Sequence, residues 1–351
     1  MVLVAGSGWG LPGEITVPVT LLHNRIIVPV WLNEVGPYPF LLDTTAPGNS
    51  VDDDTAGYLK LSGGQPEIRT AFIAPPTDLA QVRHYTVMDH NPFARFLGTP
   101  VTGILSPQSA TDDICIDIPS GTVRFGNKNG WLPTGAPDVQ PVVHGTINGQ
   151  YDCALILDTT FGGVLGVPAN MLRQWQLYDA DVPCLVADRP DLKTVAAPLG
   201  DAQIRLKSLK CGAAEMTDPI CTVLPETERP RLGVGFLHYF RATISPSEPK
   251  LTFESVKDGP AQCPPLVGCG VTPAAFNGKY WTIWVAERSP AARAGLLSGG
   301  ILTHVAGQDA AGMDYDTVQS LLKGNEGSSV NVMVLQGDTA LEKALPIERL
   351  L

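Results

Sequence analysis

The stretch Val28-Pro-Val-Trp-Leu-Asn33-Glu-Val-Gly-Pro-Tyr-Pro-Phe-Leu-Leu-Asp43-Thr44-Thr45 has a counterpart in Val143-His-Gly-Thr-Ile-Asn148-Gly-Gln-Tyr-Asp-Cys-Ala-Leu-Ile-Leu-Asp158-Thr159-Thr160. Asn33 to Asn148 and Asp43 to Asp158 are both 115 residues apart, so the copies align without a gap. Each reads as an apolar strand, a polar turn, and a second apolar strand running into Asp-Thr-Thr. Asn-Gly between β-rich runs is a hairpin signal. A repeat of this length organises the fold before any single element does.

Working outward, Val101-Thr-Gly103-Ile-Leu-Ser is matched with Arg231-Leu-Gly233-Val-Gly-Phe. Strand–turn–strand segments follow both, at Ile114–Phe125 and Phe240–Phe253. The chain therefore divides into two pseudo-symmetric all-β units, 1–130 and 131–258, and a terminal unit, 266–351. The Gly- and Pro-rich run from Ser255 to Pro265 reads as a linker. A short helix is expected around Ala169–Gln176.

Composition fits many short strands. Of 351 residues, 44% are hydrophobic and 17% charged, with 36 Gly and 31 Pro, which argues against a disordered chain. The net charge of −11 gives no general attraction for phosphate backbones, so nucleic acid is not an expected partner. No apolar run is long enough for a membrane-spanning helix. Cys-x-x-Cys and paired His at helical spacing are absent from the sequence, so no metal is expected, and no cofactor. Gly-x-Ser-x-Gly is absent and the six His are scattered, which leaves no competitive Ser-His-Asp reading.

Two acidic residues, one per repeat and each at the end of an apolar strand, can meet at a pseudo-two-fold interface. Carboxylates that close share one proton and titrate as a pair. The charged member can deprotonate water while the protonated member polarises a carbonyl. Over about residues 15–256 the sequence resembles the pepsin- and retropepsin-like aspartic proteases. The matching residues are Phe40-Leu-Leu-Asp43-Thr44, Leu155-Ile-Leu-Asp158-Thr159 and the apolar-Gly strands. The resemblance implies two pepsin-like β-barrel lobes in one chain, needing no dimer. It implies Asp43 and Asp158 as the catalytic dyad, Thr44 and Thr159 as supports, and a peptide or protein substrate. A flap is expected within Gln65–Asp89, with Tyr85 as its candidate aromatic or, alternatively, an ordinary strand residue. The family has Gly where this chain has Thr45 and Thr160. A β-branched residue there restricts the backbone and adds a methyl and a hydroxyl beside the dyad. The N–H survives, so two outcomes stay open: an aspartic endopeptidase, or a catalytically impaired peptide-binding or scaffold protein.

The terminal unit reads as a strand at Thr282–Ala286, then a short helix starting at Ser289-Pro-Ala-Ala and ending at Gly295. A strand at Ile301–Val305, a helix over Asp314–Lys323 and a strand from Ser329 follow. This order is similar to a PDZ domain of the bacterial protease-associated type, a small α+β unit. By resemblance, Gly268, Cys269, Gly270 and Val271 form a carboxylate-binding loop for a C-terminal peptide ligand, which adds a strand beside the second helix. The competing reading is a packing module that binds no free C-terminus.

Of the seven cysteines, Cys211 with Cys221, or Cys263 with Cys269, can pair in an oxidising compartment; the alternative is buried free thiols. Met1–Gly10 has no basic region and too short an apolar run for a signal peptide. The reading leans slightly to a periplasmic or secreted mature form over a cytoplasmic protein.

Overall fold

A computed structural model describes residues 15–61, 63, 66–72, 74–75, 81–90, 100–107, 113–126, 140–178, 185–186, 202–245 and 250–351. The chain is mainly β. The repeated hairpins form as read. Arg25–Leu32 pairs with Val35–Leu42, and Val142–Ile147 pairs with Tyr151–Leu157, both antiparallel. Their turns place Asn33 (φ 48°) and Glu34 (φ 70°), and Asn148 (φ 54°) and Gly149 (φ 72°), in the left-handed region. Two successive positive φ values are what a tight two-residue hairpin with native twist demands. Each Asn also carries an outward bond: the side-chain oxygen of Asn33 accepts from Arg69 N–H, and that of Asn148 from Lys207 and Ser208 N–H. The two turns are thereby tied to the next strand of their own sheets.

The first hairpin belongs to a sheet built from residues 20–105 and the second to a sheet built from residues 142–262. A further sheet joins the two halves. Its strand order is Ile15–Pro18, Thr122–Phe125, Ile114–Asp117, Phe240–Ser245 and Lys250–Ser255. Ile114, Ile116, Ala242 and Ile244 are buried in it, and one continuous apolar cluster runs from Ile15 to Cys263 through both halves. Arg241 crosses the junction to Asp117 at 2.8 Å.

Residues 267–349 have their own core, with Trp281, Ile283, Leu302, Val305, Val318, Val332, Val334 and Leu345 at its centre. Val271–Phe276 is the edge of its sheet, followed in order by Trp281–Val285, Ile301–Val305, Ser329–Gln336 and Thr339–Pro346. The helix Tyr315–Leu322 packs against the edge strand and buries Val318 and Leu322. Asp314 caps it, accepting from Thr317 N–H at 2.7 Å. Ser289 caps the short helix Pro290–Arg293, with Pro at the first helical position.

The helix near Ala169 spans Ala169–Gln174. The segment after Gly233 is not a continuing strand but a short helix, Val234–Leu237, buried throughout. Of the two readings of the cysteines, the buried free thiols are found: Cys211, Cys221, Cys263 and Cys269 are all free and buried. Burial pushes the Cys211 thiol up to about 12, so these sulfurs behave as small apolar groups. The expected leaderless start at Met1–Gly10 lies outside the described residues. Among the described residues, no helix is long and apolar enough to cross a membrane.

Candidate functional site

Each apolar strand of the repeat delivers its aspartate to the same kind of place. Leu42 and Leu157 are buried completely, and the chain then turns at Asp43-Thr44-Thr45 and Asp158-Thr159-Thr160. Asp43 N–H donates to Leu105 O at 3.0 Å, and Asp158 N–H to Leu232 O at 2.9 Å. The two turns meet. Thr44 N–H donates to Thr159 Oγ1, and Thr159 N–H to Thr44 Oγ1, both at 3.1 Å. Thr44 Oγ1 donates to Leu157 O and Thr159 Oγ1 to Leu42 O, both at 2.5 Å. Both threonines are fully buried. Each hydroxyl therefore closes a loop belonging to the other half, and neither loop is complete alone.

The second threonines act within their own turns. Thr45 donates to Asp43 Oδ1 through its N–H (2.8 Å) and its hydroxyl (2.7 Å), and Ala46 N–H adds a third bond at 3.0 Å. Thr160 does the same for Asp158 Oδ1, at 2.9 and 2.6 Å. The sequence reading placed a methyl and a hydroxyl beside the dyad. The hydroxyl in fact turns onto its own aspartate and occupies a lone pair of the inner oxygen.

The outer oxygens differ. Arg231 donates to Asp158 Oδ2 at 2.8 Å, and its second amino group holds Glu228. The Arg231 and Asp158 side chains are only 13% and 5% exposed, so this ion pair is largely withdrawn from solvent. Asp43 Oδ2 has no hydrogen-bond partner among the described residues. Burial pushes the Asp43 carboxyl up, and the Asp158 charge adds to this, against the pull of the Thr45 and Ala46 donors. A cavity of about 360 Å³ opens beside Asp158, lined by Thr45, Gln140, Asp158, Glu228, Arg229 and Arg231 among others.

Arg231 was missed as a chemical residue, because the sequence matched its strand through Gly103 and Gly233. The hydrogen bonds set a different equivalence. Leu105 and Leu232 accept the same bond, so Ser106 matches Gly233, and Ile104 matches Arg231. Ser106 N–H donates to the Asn49 side chain where Gly233 N–H donates to Val164 O. Gly103 and Gly233 are each required, but separately. A Cβ on Gly233 would sit 2.2 Å from Phe161 O, and one on Gly103 would sit 2.3 Å from the Phe40 ring. The available signal was an arginine at the head of a buried apolar pair.

Tyr85 is not a flap residue. It is 1% exposed, bonds Thr70 through its hydroxyl at 3.0 Å, and meets Phe40 edge-on. The turn read at Pro75-Pro76-Thr-Asp lies mostly outside the described residues.

The terminal unit touches the aspartate region through the turn at His23-Asn24. The His23 ring stacks on Tyr315 at 3.6 Å and lies 5.7 Å from Trp281. Burial, with Arg25 adding, lowers His23 to about 3, so the ring is neutral at ordinary pH. Arg25 donates to Thr160 O at 3.0 Å, and the Asn24 amide donates to Gly162 O.

At the expected carboxylate loop, Gly270 has φ 81°, and a Cβ there would strike the Ser289 side chain at 2.1 Å. Cys269 O accepts from Ala291 N–H in the helix Pro290–Arg293 and Gly270 O from Ala286 N–H at the end of the strand Trp281–Val285, which pins the loop to both. Burial pushes the Cys269 thiol up, with the N–H groups of Val271 and Cys269 acting in the opposite direction.

The strands and helices from Trp281 to Gln336 agree with a comparison against known families. Residues 282–336 match the PDZ domain family. A comparison with curated proteins finds no match for the chain. The PDZ match runs from the strand at Trp281–Val285 through both helices to the end of Ser329–Gln336, leaving Gly268–Val271 and the edge strand Val271–Phe276 outside it. A PDZ domain is a peptide-binding module that takes its ligand as an added strand. Val271–Phe276 supplies the free edge, although Pro273 removes one N–H from it. Asp52, Asp53 and Asp54 bring their carboxylates within 4.8 Å of one another at a helix start, where acidic residues complement the helix dipole.

Proposed function

We propose that this chain binds extended polypeptide across the Asp43 and Asp158 turns and hydrolyses its peptide bonds, while the PDZ domain takes a peptide C-terminus. The lobes that carry the aspartates are read as pepsin-like and pseudo-symmetric, in keeping with the resemblance of residues 15–256. The observation that carries this reading is the reciprocal bonding of Thr44 and Thr159. It ties together the two turns that carry the strand-end carboxylates, and the chemistry needs no metal or nucleophilic side chain. The ionised carboxylate would take a proton from a water as its oxygen attacks the carbonyl carbon. The protonated one would donate to the carbonyl oxygen, and the proton taken from water would later pass to the leaving nitrogen.

The test is cleavage of an unfolded peptide library by the full chain, with products identified by mass. Cleavage should be abolished in both Asp43→Asn and Asp158→Asn. Equal cleavage by these variants would reject the assignment.

A second reading, a scaffold that binds peptide without turnover, is favoured by Arg231 standing on Asp158 Oδ2 and by the two threonine hydroxyls on the inner oxygens. Its signature is peptide binding by the intact chain with no product from any peptide.

A further inference from the structure

The seam between the PDZ edge strand and its helix has two distinct ends. The strand Val271–Phe276 starts beside the loop Gly268–Val271, and the helix Tyr315–Leu322 runs the other way. Leu322 O stands 4.0 Å from the Cys269 sulfur, which fixes the loop end. At the far end the Phe276 and Trp281 rings lie 5.2 Å apart, and Trp281 meets Tyr315 edge-on at 5.7 Å. Tyr315, Gln319 and Leu322 recur at the spacing of one helix face. Gln319 Nε2 donates to the Tyr315 hydroxyl at 3.3 Å.

The far end holds the tip of a hairpin from the first half. Thr20–Leu22 pairs with Arg25–Leu32 around His23 and Asn24, both at positive φ, 49° and 58°. The His23 ring lies on the Tyr315 ring, with centroids 3.6 Å apart and planes 28° from parallel, and His23 is 4% exposed. Rings in van der Waals contact leave no space for another group between them. The same tip is fastened behind to the Asp158 turn. Asn24 donates to Gly162 O, Arg25 donates to Thr160 O at 3.0 Å, and Asn24 Oδ1 pairs with His238 Nε2 at 2.7 Å.

We propose that the His23-Asn24 tip is a built-in occupant of the far end of the PDZ seam, displaced by a C-terminal peptide long enough to reach it, and that this displacement loosens the turn carrying Asp158. This rests on the reading of the PDZ domain as the site for a peptide C-terminus. A peptide held by its carboxylate at Gly268–Val271 and paired along the edge strand runs back toward Phe276. The five steps of that strand span about 17 Å at about 3.3 Å each, so roughly the sixth residue from the peptide C-terminus arrives at Phe276. There it meets His23 over the Tyr315 ring. A shorter peptide stops before the tip and leaves it in place. By linkage, whatever tightens the Asp158 turn on Asn24 and Arg25 weakens the hold on a long peptide, and a long peptide weakens those bonds in return.

The experiment selects binders from a random peptide library displayed with free C-termini, against the full chain and against His23→Asn. The selected sequence is then measured at four and at eight residues by fluorescence anisotropy. Asparagine tolerates the left-handed region, so this substitution keeps the turn and removes the ring. In the native chain the eight-residue form should bind about fivefold more weakly than the four-residue form, the order of one aromatic stack. In His23→Asn the longer form should bind at least as tightly as the shorter. Amide hydrogen exchange over residues 158–164 of the native chain should quicken with the eight-residue peptide and stay unchanged with the four-residue one. The length series and the exchange need no variant, which covers the case of a poorly folding His23→Asn. Eight residues binding as tightly as four in the native chain, or exchange at 158–164 unmoved by the longer peptide, would overturn the inference and leave the PDZ reading standing. Selection of no peptide by either chain would instead reject the PDZ domain as a site for a peptide C-terminus, and the inference with it.

Discussion

Thr45 and Thr160 show how a residue type settles a local question that its position leaves open. Each donates twice to the aspartate two places earlier, once from the backbone and once from the hydroxyl. The hydroxyl favours the ionised form and works against burial at Asp43. Thr45→Gly keeps the N–H and deletes the hydroxyl, so Asp43 should hold its proton to higher pH than in the native chain. Titration of the labelled Asp43 carboxyl checks this, and an unchanged midpoint would show that the hydroxyl bond contributes nothing. The aspartates stood out in the sequence because two copies lie in register after similar apolar runs, Phe40-Leu-Leu and Leu155-Ile-Leu. Arg231 did not, because its partner lies across a parallel strand pairing that no local pattern records. Aligning the halves on glycine hid it, since the glycines answer to different close approaches.

Elements were legible where period and caps agreed. The two hairpins follow from alternating apolar residues around Asn33 and Asn148, and the PDZ helix from Asp314 ahead of Val318, Leu321 and Leu322. Asp314 binds Thr317 through both oxygens, at 2.7 and 3.0 Å. Asp314→Ala should destabilise the PDZ domain by about 1 kcal/mol, the usual cost of a lost cap. If peptide docks beside the edge strand as proposed, it should also weaken peptide binding, since the helix packs against that strand. Urea unfolding followed by tryptophan fluorescence is the check, and an unchanged midpoint would mean that the cap adds nothing. Tyr85 was less legible. Its place between two short strands is set by contact with Phe40 and Thr70, residues 45 and 15 positions earlier in the chain.

The pH response of the whole molecule combines opposed contributions. Burial tends to raise Asp117, but hydrogen bonds from Arg241 and Ser120 outweigh it and hold the carboxyl below the ordinary range. Its stabilisation is therefore present above the unfolded value and lost as pH falls through the folded one. Asp43 has the reverse sign: its raised folded value contributes below the unfolded value and is lost as pH rises. Asp117→Asn should cost about 1 kcal/mol near neutrality, an ion pair at the edge of solvent being worth no more. The difference from the native chain should close in strong acid. Urea unfolding at both conditions measures it, and a difference that persists in acid would remove the ion pair as its cause. The strand–turn–strand segments at 114–125 and 240–253 were expected, but not that they join the halves in the one sheet that places this pair. Its mixed strand order was not expected either, because partner choice among short strands is decided by the shared core.

The PDZ domain leaves the second half and returns to it at one place. Val267–Gly268 pairs with Glu348–Arg349, Leu266 and Leu350 exchange backbone bonds with the segment opposite, and Arg205 reaches Pro264 O and Leu351 O at 3.1 Å. A body hung on one strand can swivel about single bonds, whereas one gripped by two paired strands resists torsion and is left with bending. With the His23–Tyr315 stack as a second point of support, the PDZ domain is held at two separated places, one of them two residues from the Arg25 bond to Thr160 O.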